Sequence, residues 1–82
     1  MTEPTPVEVE ARFWPDGRIE PLAFRWRGQW HAISGHGRQW QDPQGRRHFL
    51  VMTVPDRIWE LAFDPATLRW YVVRRPSGVW AV

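Results

Sequence analysis

Proline and glycine interrupt this chain so often that they limit the folds open to it. Eight Pro and six Gly are spread over 82 residues, and few uninterrupted stretches reach the length of an ordinary helix. No window of that length places apolar residues at the i, i+3, i+4 and i+7 spacing of an amphipathic helix. Short strands joined by tight turns are therefore expected.

The chain must fold by packing alone, because it has no cysteine for disulfides or thiolate metal sites. Its seven Trp, four Phe and one Tyr supply that packing, since each buried aromatic removes about 150–250 Å² from water. We expect one domain over 1–82, with a flexible N-terminal tail at 1–6 and a short strand or loose tail at 76–82. The lack of cysteine, of a secretory pattern and of a long apolar run predicts a cytoplasmic protein with no membrane partner.

Alternating apolar and polar residues trace six short strands. These are expected at 7–13, 22–27, 30–41, 47–54, 58–64 and 68–75. The stretch around Pro21 is expected to be irregular, and Gly35 and Gly37 to bend the third strand. We therefore predict an all-β fold, a single small antiparallel meander of about six strands curled into a half-open or closed barrel.

Two turns fix the predicted pairing. Gly28-Gln29 has Gly where a type II′ hairpin turn requires it, so Arg27 should pair with Trp30. A type I turn at 64–67 should pair Phe63 with Leu68 and direct this face to the core. Both hairpins then have one apolar face and one mixed face.

Few side chains are suited to catalysis or metal binding. The chain lacks Cys and Lys, which excludes thiol and Schiff-base mechanisms. Ser34, His36 and Asp42 would form an active site only if they converged in a pocket, and no nucleophile-elbow pattern surrounds them. His31, His36 and His48 lack the spacing of metal ligands. We expect no enzyme, no catalytic residue, no metal and no cofactor.

A mixture of Arg and Trp gives the first candidate surface, a binding site for single-stranded nucleic acid. Such sites combine backbone charge contacts with base stacking on aromatic side chains. The candidate residues are Arg25, Arg27, Trp30, Arg38, Trp40, Arg46 and Arg47. The same pattern also fits a structural role, in which Arg covers Trp faces by cation–π packing. The sequence leaves both interpretations open.

A second candidate surface is the partly apolar outer face of the last strands, with Tyr71, Val73 and Trp80. It would bind a protein partner or form a homodimer, although a curled sheet that buries both faces explains these side chains equally well. Glu60 is expected to form an ordinary surface ion pair with Arg69. A non-enzymatic protein–protein interaction or accessory module is the first hypothesis, and a single-stranded nucleic-acid-binding module is the alternative.

Several short motifs resemble a small uncharacterised bacterial domain family, a domain of unknown function. They are Phe24-x-Trp26-Arg27-Gly28, Ile33, Trp40, 48–51, Ile58-Trp59-Glu60-Leu61, Phe63-Asp64 and Trp70, and they cover most of 7–75. Some members of that family lie at the C-terminal ends of catalytically inactive Y-family-polymerase-like proteins of mutagenic DNA repair. The resemblance implies an accessory module with a link to DNA repair, and it supplies no catalytic residue.

Overall fold

The computed structural model describes residues 3–74, and this part of the chain is all-β, as predicted. Its strands are β1 (Thr5–Val7), β2 (Val9–Phe13), β3 (Ile19–Trp26), β4 (Gln29–Ala32), β5 (Gly35–Gln41), β6 (Arg47–Thr53), β7 (Arg57–Asp64) and β8 (Arg69–Arg74). They form two antiparallel sheets, a five-stranded one in the order β1-β8-β7-β6-β5 and a three-stranded one in the order β2-β3-β4. Within 3–74 there is no helix of the length and apolar character that a membrane crossing requires.

The predicted barrel of about six strands is wrong, because two of the predicted strands pass from one sheet to the other. The first is interrupted at Glu8, so that β1 pairs with β8 whereas β2 pairs with β3. The third is interrupted after Ile33, whose N–H donates to Leu22 O at 2.9 Å in one sheet. The next N–H, that of Ser34, donates to Met52 O at 2.8 Å in the other sheet. Six predicted strands thus become, within 3–74, eight strands in two sheets without a closed barrel.

One hydrophobic core lies between the sheets. Its buried residues are Ile19, Phe24, Phe49, Val51, Trp59, Leu61, Phe63, Trp70 and Val72. Trp59 of the five-stranded sheet packs edge-on against Phe24 of the three-stranded sheet, with ring centroids 4.8 Å apart. Its Nε1–H donates to the buried Thr53 Oγ1 at 2.9 Å, so burial of the indole leaves no donor without a partner.

The β3–β4 turn differs from the predicted type II′ turn at Gly28-Gln29. The two turn residues are Arg27 and Gly28, with φ of 50° and 80°, and a two-residue turn with both φ positive is type I′. Arg25 therefore pairs with Trp30, where the predicted turn paired Arg27 with Trp30. This shift of two positions leaves every side chain on its predicted face, because faces alternate with a period of two.

The β7–β8 hairpin shows the same kind of shift. Its loop extends to Leu68, which has a φ of 59°, so Phe63 pairs with Trp70 and Leu61 with Val72. The prediction that this face enters the core is confirmed for these four buried residues and wrong for Leu68, which lies in the loop and is 76% exposed.

Two local predictions near the N-terminus are wrong. Pro21, expected in an irregular stretch, is fully buried within β3 and pairs with Ala11 beside a β-bulge, where a residue without an N–H is tolerated. Thr5 and Pro6, expected in the flexible tail at 1–6, lie in β1 opposite β8. The predicted short strand or tail at 76–82 lies outside the described residues.

Candidate functional site

The structure divides the predicted Arg and Trp set among separate places. Arg25 and Trp30 lie opposite each other on β3 and β4, and Arg27 occupies the turn between them. Arg38 and Trp40 lie on β5, at the edge of the five-stranded sheet. Arg46 and Arg47 follow in the β5–β6 turn and at the start of β6. The hairpin residues and the β5–β6 residues thus belong to two sheets and do not form one face.

The outer side of the β3–β4 hairpin carries an exposed apolar patch, which we call the hairpin face and define by Leu22, Ala23, Arg25, Trp30 and Ala32. Trp30 is 47% exposed and Leu22 is 39% exposed. Ala23 pairs with Ala32 beside the Arg25 and Trp30 pair. Ala23, Arg25 and their partners on β4 point away from the core, because they alternate with the buried Phe24. Leu22 is exposed beside them because it is the extra residue of a β-bulge in the β2–β3 pairing.

Charges of both signs border the hairpin face. An Arg25 guanidinium nitrogen lies 3.3 Å from a Glu8 carboxylate oxygen, and Glu10 lies opposite Ala23 on β2. The Arg27 guanidinium packs over the Trp26 ring at 5.4 Å from its centroid. The hairpin face is therefore an apolar patch with a mixed-charge border.

The densest polar cluster is elsewhere, on the five-stranded sheet. We call it the His48 array and define it by Asp42, His48 and Glu60. The His48 Nδ1 contacts Glu60 Oε2 and its Nε2 contacts Asp42 Oδ2, each at 2.8 Å. The His48 side chain is only 12% exposed, and its ring stacks on Trp40 at 5.2 Å with the planes 9° apart. The array thus fixes the position of the Trp40 indole.

Hydrogen bonds favour the ionised form of the Asp42 carboxyl. An ionised carboxylate only accepts, so His48 Nε2 donates to Asp42 Oδ2. The hydrogen bond from His48 holds the pKa of the Asp42 carboxyl below its ordinary value, and the N–H groups of Arg46 and Gln44 act in the same direction. Those two N–H groups donate to Asp42 Oδ1 at 3.0 and 2.9 Å, so Asp42 also organises the β5–β6 turn. With both ring nitrogens engaged, His48 has no nitrogen left to act on a substrate.

The predicted surface ion pair of Glu60 with Arg69 is wrong. Glu60 is 8% exposed and bound to His48, whereas Arg69 lies opposite Asp64. A signal for the array was present in the sequence. Pairing of β6 with β7 is symmetrical about Pro55, so centring the predicted turn on that residue would have placed Glu60 diagonally across from His48.

The three residues of the enzymatic hypothesis each have a different hydrogen-bond partner. Ser34 Oγ donates to Met52 O at 3.2 Å, and His36 Nε2 donates to Pro21 O at 2.8 Å. Asp42 belongs to the His48 array. The required convergence of these side chains is thus not seen. Among residues 3–74, no group of three His, Cys, Asp or Glu side chains is arranged to hold a metal ion.

The predicted surface around Tyr71 is partly covered. Tyr71 and Val73 are half-buried on β8, and Trp80 lies outside the described residues. The Arg46 guanidinium packs over the Tyr71 ring at 5.8 Å and lies 3.7 Å from an Asp64 carboxylate oxygen. Among the described residues, Tyr71 and Val73 are therefore less exposed than Trp30 of the hairpin face.

Comparison of the chain with protein-family models, curated proteins and solved structures gave no match. The resemblance carried by 24–28 and the later Trp residues therefore stays a prediction. Within 3–74, the hairpin face combines an exposed Trp with exposed apolar neighbours and a charged border.

Proposed function

We propose that this chain is a non-enzymatic protein–protein interaction module and that it binds its partner through the hairpin face. The observation that carries this proposal is the 47% exposed Trp30, which lies among Ala23, Ala32 and Leu22 beside the Arg25 and Glu8 pair. Protein interfaces commonly consist of an apolar centre within a polar rim, with Trp and Arg contributing most of the binding energy.

The position of Trp30 at a sheet edge also favours a polypeptide partner. Within 3–74, β4 ends the three-stranded sheet and has β3 as its one sheet neighbour. An edge strand presents backbone N–H and C=O groups that a strand from another protein, or from a second copy, can pair with. Partner side chains on such a strand would then contact Trp30.

The alternative, a single-stranded nucleic acid bound across the whole predicted Arg and Trp set, has less support at this face. Glu8 pairs with Arg25 and Glu10 lies on the adjacent strand, so carboxylates would oppose a phosphate backbone here. The remaining Arg residues of that set lie on the other sheet.

The test compares Trp30→Asp with wild type and with Leu68→Asp as a matched control. Leu68 is an exposed apolar residue, 76% exposed, in the β7–β8 loop, so Leu68→Asp introduces the same charge away from the hairpin face. Each protein is used at equal concentration in sedimentation velocity and as bait in quantitative affinity capture from the host cell. Circular dichroism establishes that each variant is folded.

The proposal predicts that wild type and Leu68→Asp both form a dimer or both capture the same protein. Trp30→Asp should reduce the affinity of that association by about ten-fold or more, the loss expected for an interface Trp. Identical behaviour of all three proteins in both measurements would contradict the proposal. Equal loss in both variants would show that added negative charge, and not the hairpin face, decides the association.

A further inference from the structure

A groove lies beside β5, which is the last strand of the five-stranded sheet within 3–74, and we call it the β5 groove. One part of it, about 290 Å³, is lined by Trp14, Arg18 and His36 among others. The adjoining part, about 250 Å³, is lined by Trp40 and Arg47. Gln39 lines both parts, so they meet at β5, where Gln39 and Trp40 alternate and face opposite sides of the strand.

Two indoles with Arg neighbours stand in the walls of this groove. Trp14 is half-buried, and the guanidinium groups of Arg12 and Arg18 lie 5.3 and 4.7 Å from its centroid. Trp40 has the Arg38 guanidinium at 5.6 Å and the His48 ring stacked at 5.2 Å. Because the His48 array holds that imidazole at both nitrogens, Trp40 is a preorganised aromatic surface.

Positive charge is concentrated along the groove. Arg47 donates to Gly17 O at 2.7 Å, and this hydrogen bond connects the start of β6 to the β2–β3 turn. The Arg47 guanidinium therefore lies between the hairpin that carries Trp14 and the hairpin that carries Trp40. Arg18 also lines the groove, and Arg12 and Arg38 pack over Trp14 and Trp40. The nearby acids are Asp16, Glu20 and Asp42, of which Asp16 pairs with Arg18 at 3.0 Å and Asp42 with His48. Unlike the hairpin face, this surface has more Arg than available carboxylate.

We propose that the β5 groove binds a segment of single-stranded nucleic acid, with bases stacking beside Trp14 and Trp40 and phosphates contacting the Arg side chains. Aromatic surfaces combined with Arg are the usual means of holding single strands without sequence readout. The amide side chains of Gln39 and Gln41 line the groove and can hydrogen-bond to base edges. This site is separate from the hairpin face, so it adds a second binding activity to the proposed function.

The test is fluorescence anisotropy of a labelled oligo-dT of about 12 nucleotides, within the site sizes of small single-strand-binding domains. We expect saturable binding at low salt that weakens as salt rises, with a slope of about −2 to −3 in log affinity against log salt for three or four phosphate contacts. Trp14→Leu should weaken binding by about five-fold or more, the effect of one lost stacking contact.

Charge variants provide the matched control. Arg38→Glu removes a groove cation, and Arg57→Glu makes the same charge change at an exposed position at the start of β7. We expect affinity to fall by about ten-fold for Arg38→Glu and by less than about three-fold for Arg57→Glu, because only the former loses a direct phosphate contact. Trp30→Asp adds a charge far from the groove, so its oligonucleotide affinity should stay within about three-fold of wild type. That result would show that oligonucleotide binding is independent of the partner binding proposed for the hairpin face.

Three outcomes would overturn the proposal. They are absence of binding at low salt, equal loss in Arg38→Glu and Arg57→Glu, and equal affinity for the single strand and for a duplex or polyglutamate. The last result would mean that the protein attracts any polyanion and that base stacking has no part in binding. Circular dichroism of each variant ensures that lost affinity is not lost folding.

Discussion

At the scale of single residues, the His48 array shows how one side chain can link a turn to a central strand. His48 contacts Asp42 of the β5–β6 turn on one side and Glu60 of β7 on the other. The sequence analysis predicted neither contact, because Glu60 follows the alternation of a solvent-facing residue and the β6–β7 turn was not centred on Pro55. Its burial depends on the bulk of its cross-strand neighbours, which becomes known only when strand register is known.

The ionised form of Asp42 should stabilise the fold, because its pKa lies below the ordinary value of 3.8 in the folded protein. A lowered carboxyl pKa contributes stability that is present above the ordinary value and is lost as pH falls through the folded-state pKa. Asp42→Asn keeps an oxygen for the turn N–H groups but loses the charge. We expect this variant to be less stable than wild type near neutral pH and equal to it well below pH 3.8, as measured by urea unfolding at a series of pH values.

Asp42→Ala serves as the control for that experiment. It also removes the acceptor for the N–H groups of Gln44 and Arg46, so it should remain less stable than wild type at every pH. A stability difference between wild type and Asp42→Asn that stays constant as pH falls would mean that the charged contact with His48 contributes nothing.

At the scale of elements, sequence periodicity predicted the faces of the strands but not their pairing. The core faces of β7 and β8 were predicted correctly because alternation is a property of each strand alone. The pairing was shifted because Arg27 and Leu68 adopt positive φ, which non-glycine residues seldom do. The Trp30 surface could therefore be predicted, whereas the β5 groove, which depends on how two hairpins meet, could not.

The β3–β4 turn provides a prediction at this scale. Gly28 has a φ of 80°, and a Cβ added there would meet no atom within 4 Å, so Gly28→Ala tests backbone conformation alone. We expect it to lower the free energy of unfolding by about 1–2 kcal/mol, the cost of a left-handed conformation for an L-residue. Gly37 lacks a positive φ and its added Cβ would make ordinary contact with Leu50, so Gly37→Ala should change stability by less than about 0.5 kcal/mol. Equal effects in the two variants, measured by chemical denaturation, would argue against a conformational cause.

At the scale of the whole molecule, the two sheets share one core, and two bent strands connect them. Periodicity predicted strand 7–13 as continuous because alternation continues past Glu8, and Gly35 and Gly37 predicted a bend within strand 30–41 but not a change of sheet. The changes of sheet at Glu8 and after Ile33 arise from long-range pairing with β8 and β6, which no local pattern encodes. The division of the described residues into two sheets that do not close into a barrel could therefore not be predicted from the sequence.

A shared core should make the two sheets unfold as one cooperative unit. Phe24 of β3 is fully buried against Trp59 of β7, so Phe24→Leu should lower the free energy of unfolding by about 1–2 kcal/mol through lost apolar contact. Native-state hydrogen exchange should show the same loss for the slowest amides of β7 as for those of β3, because both exchange through global unfolding. Leu22→Ala, an exposed change on the same strand, should shift neither by more than about 0.5 kcal/mol. If Phe24→Leu weakens protection in β3 and leaves β7 unchanged, the three-stranded sheet opens separately, and partner binding at the hairpin face could then be coupled to that opening.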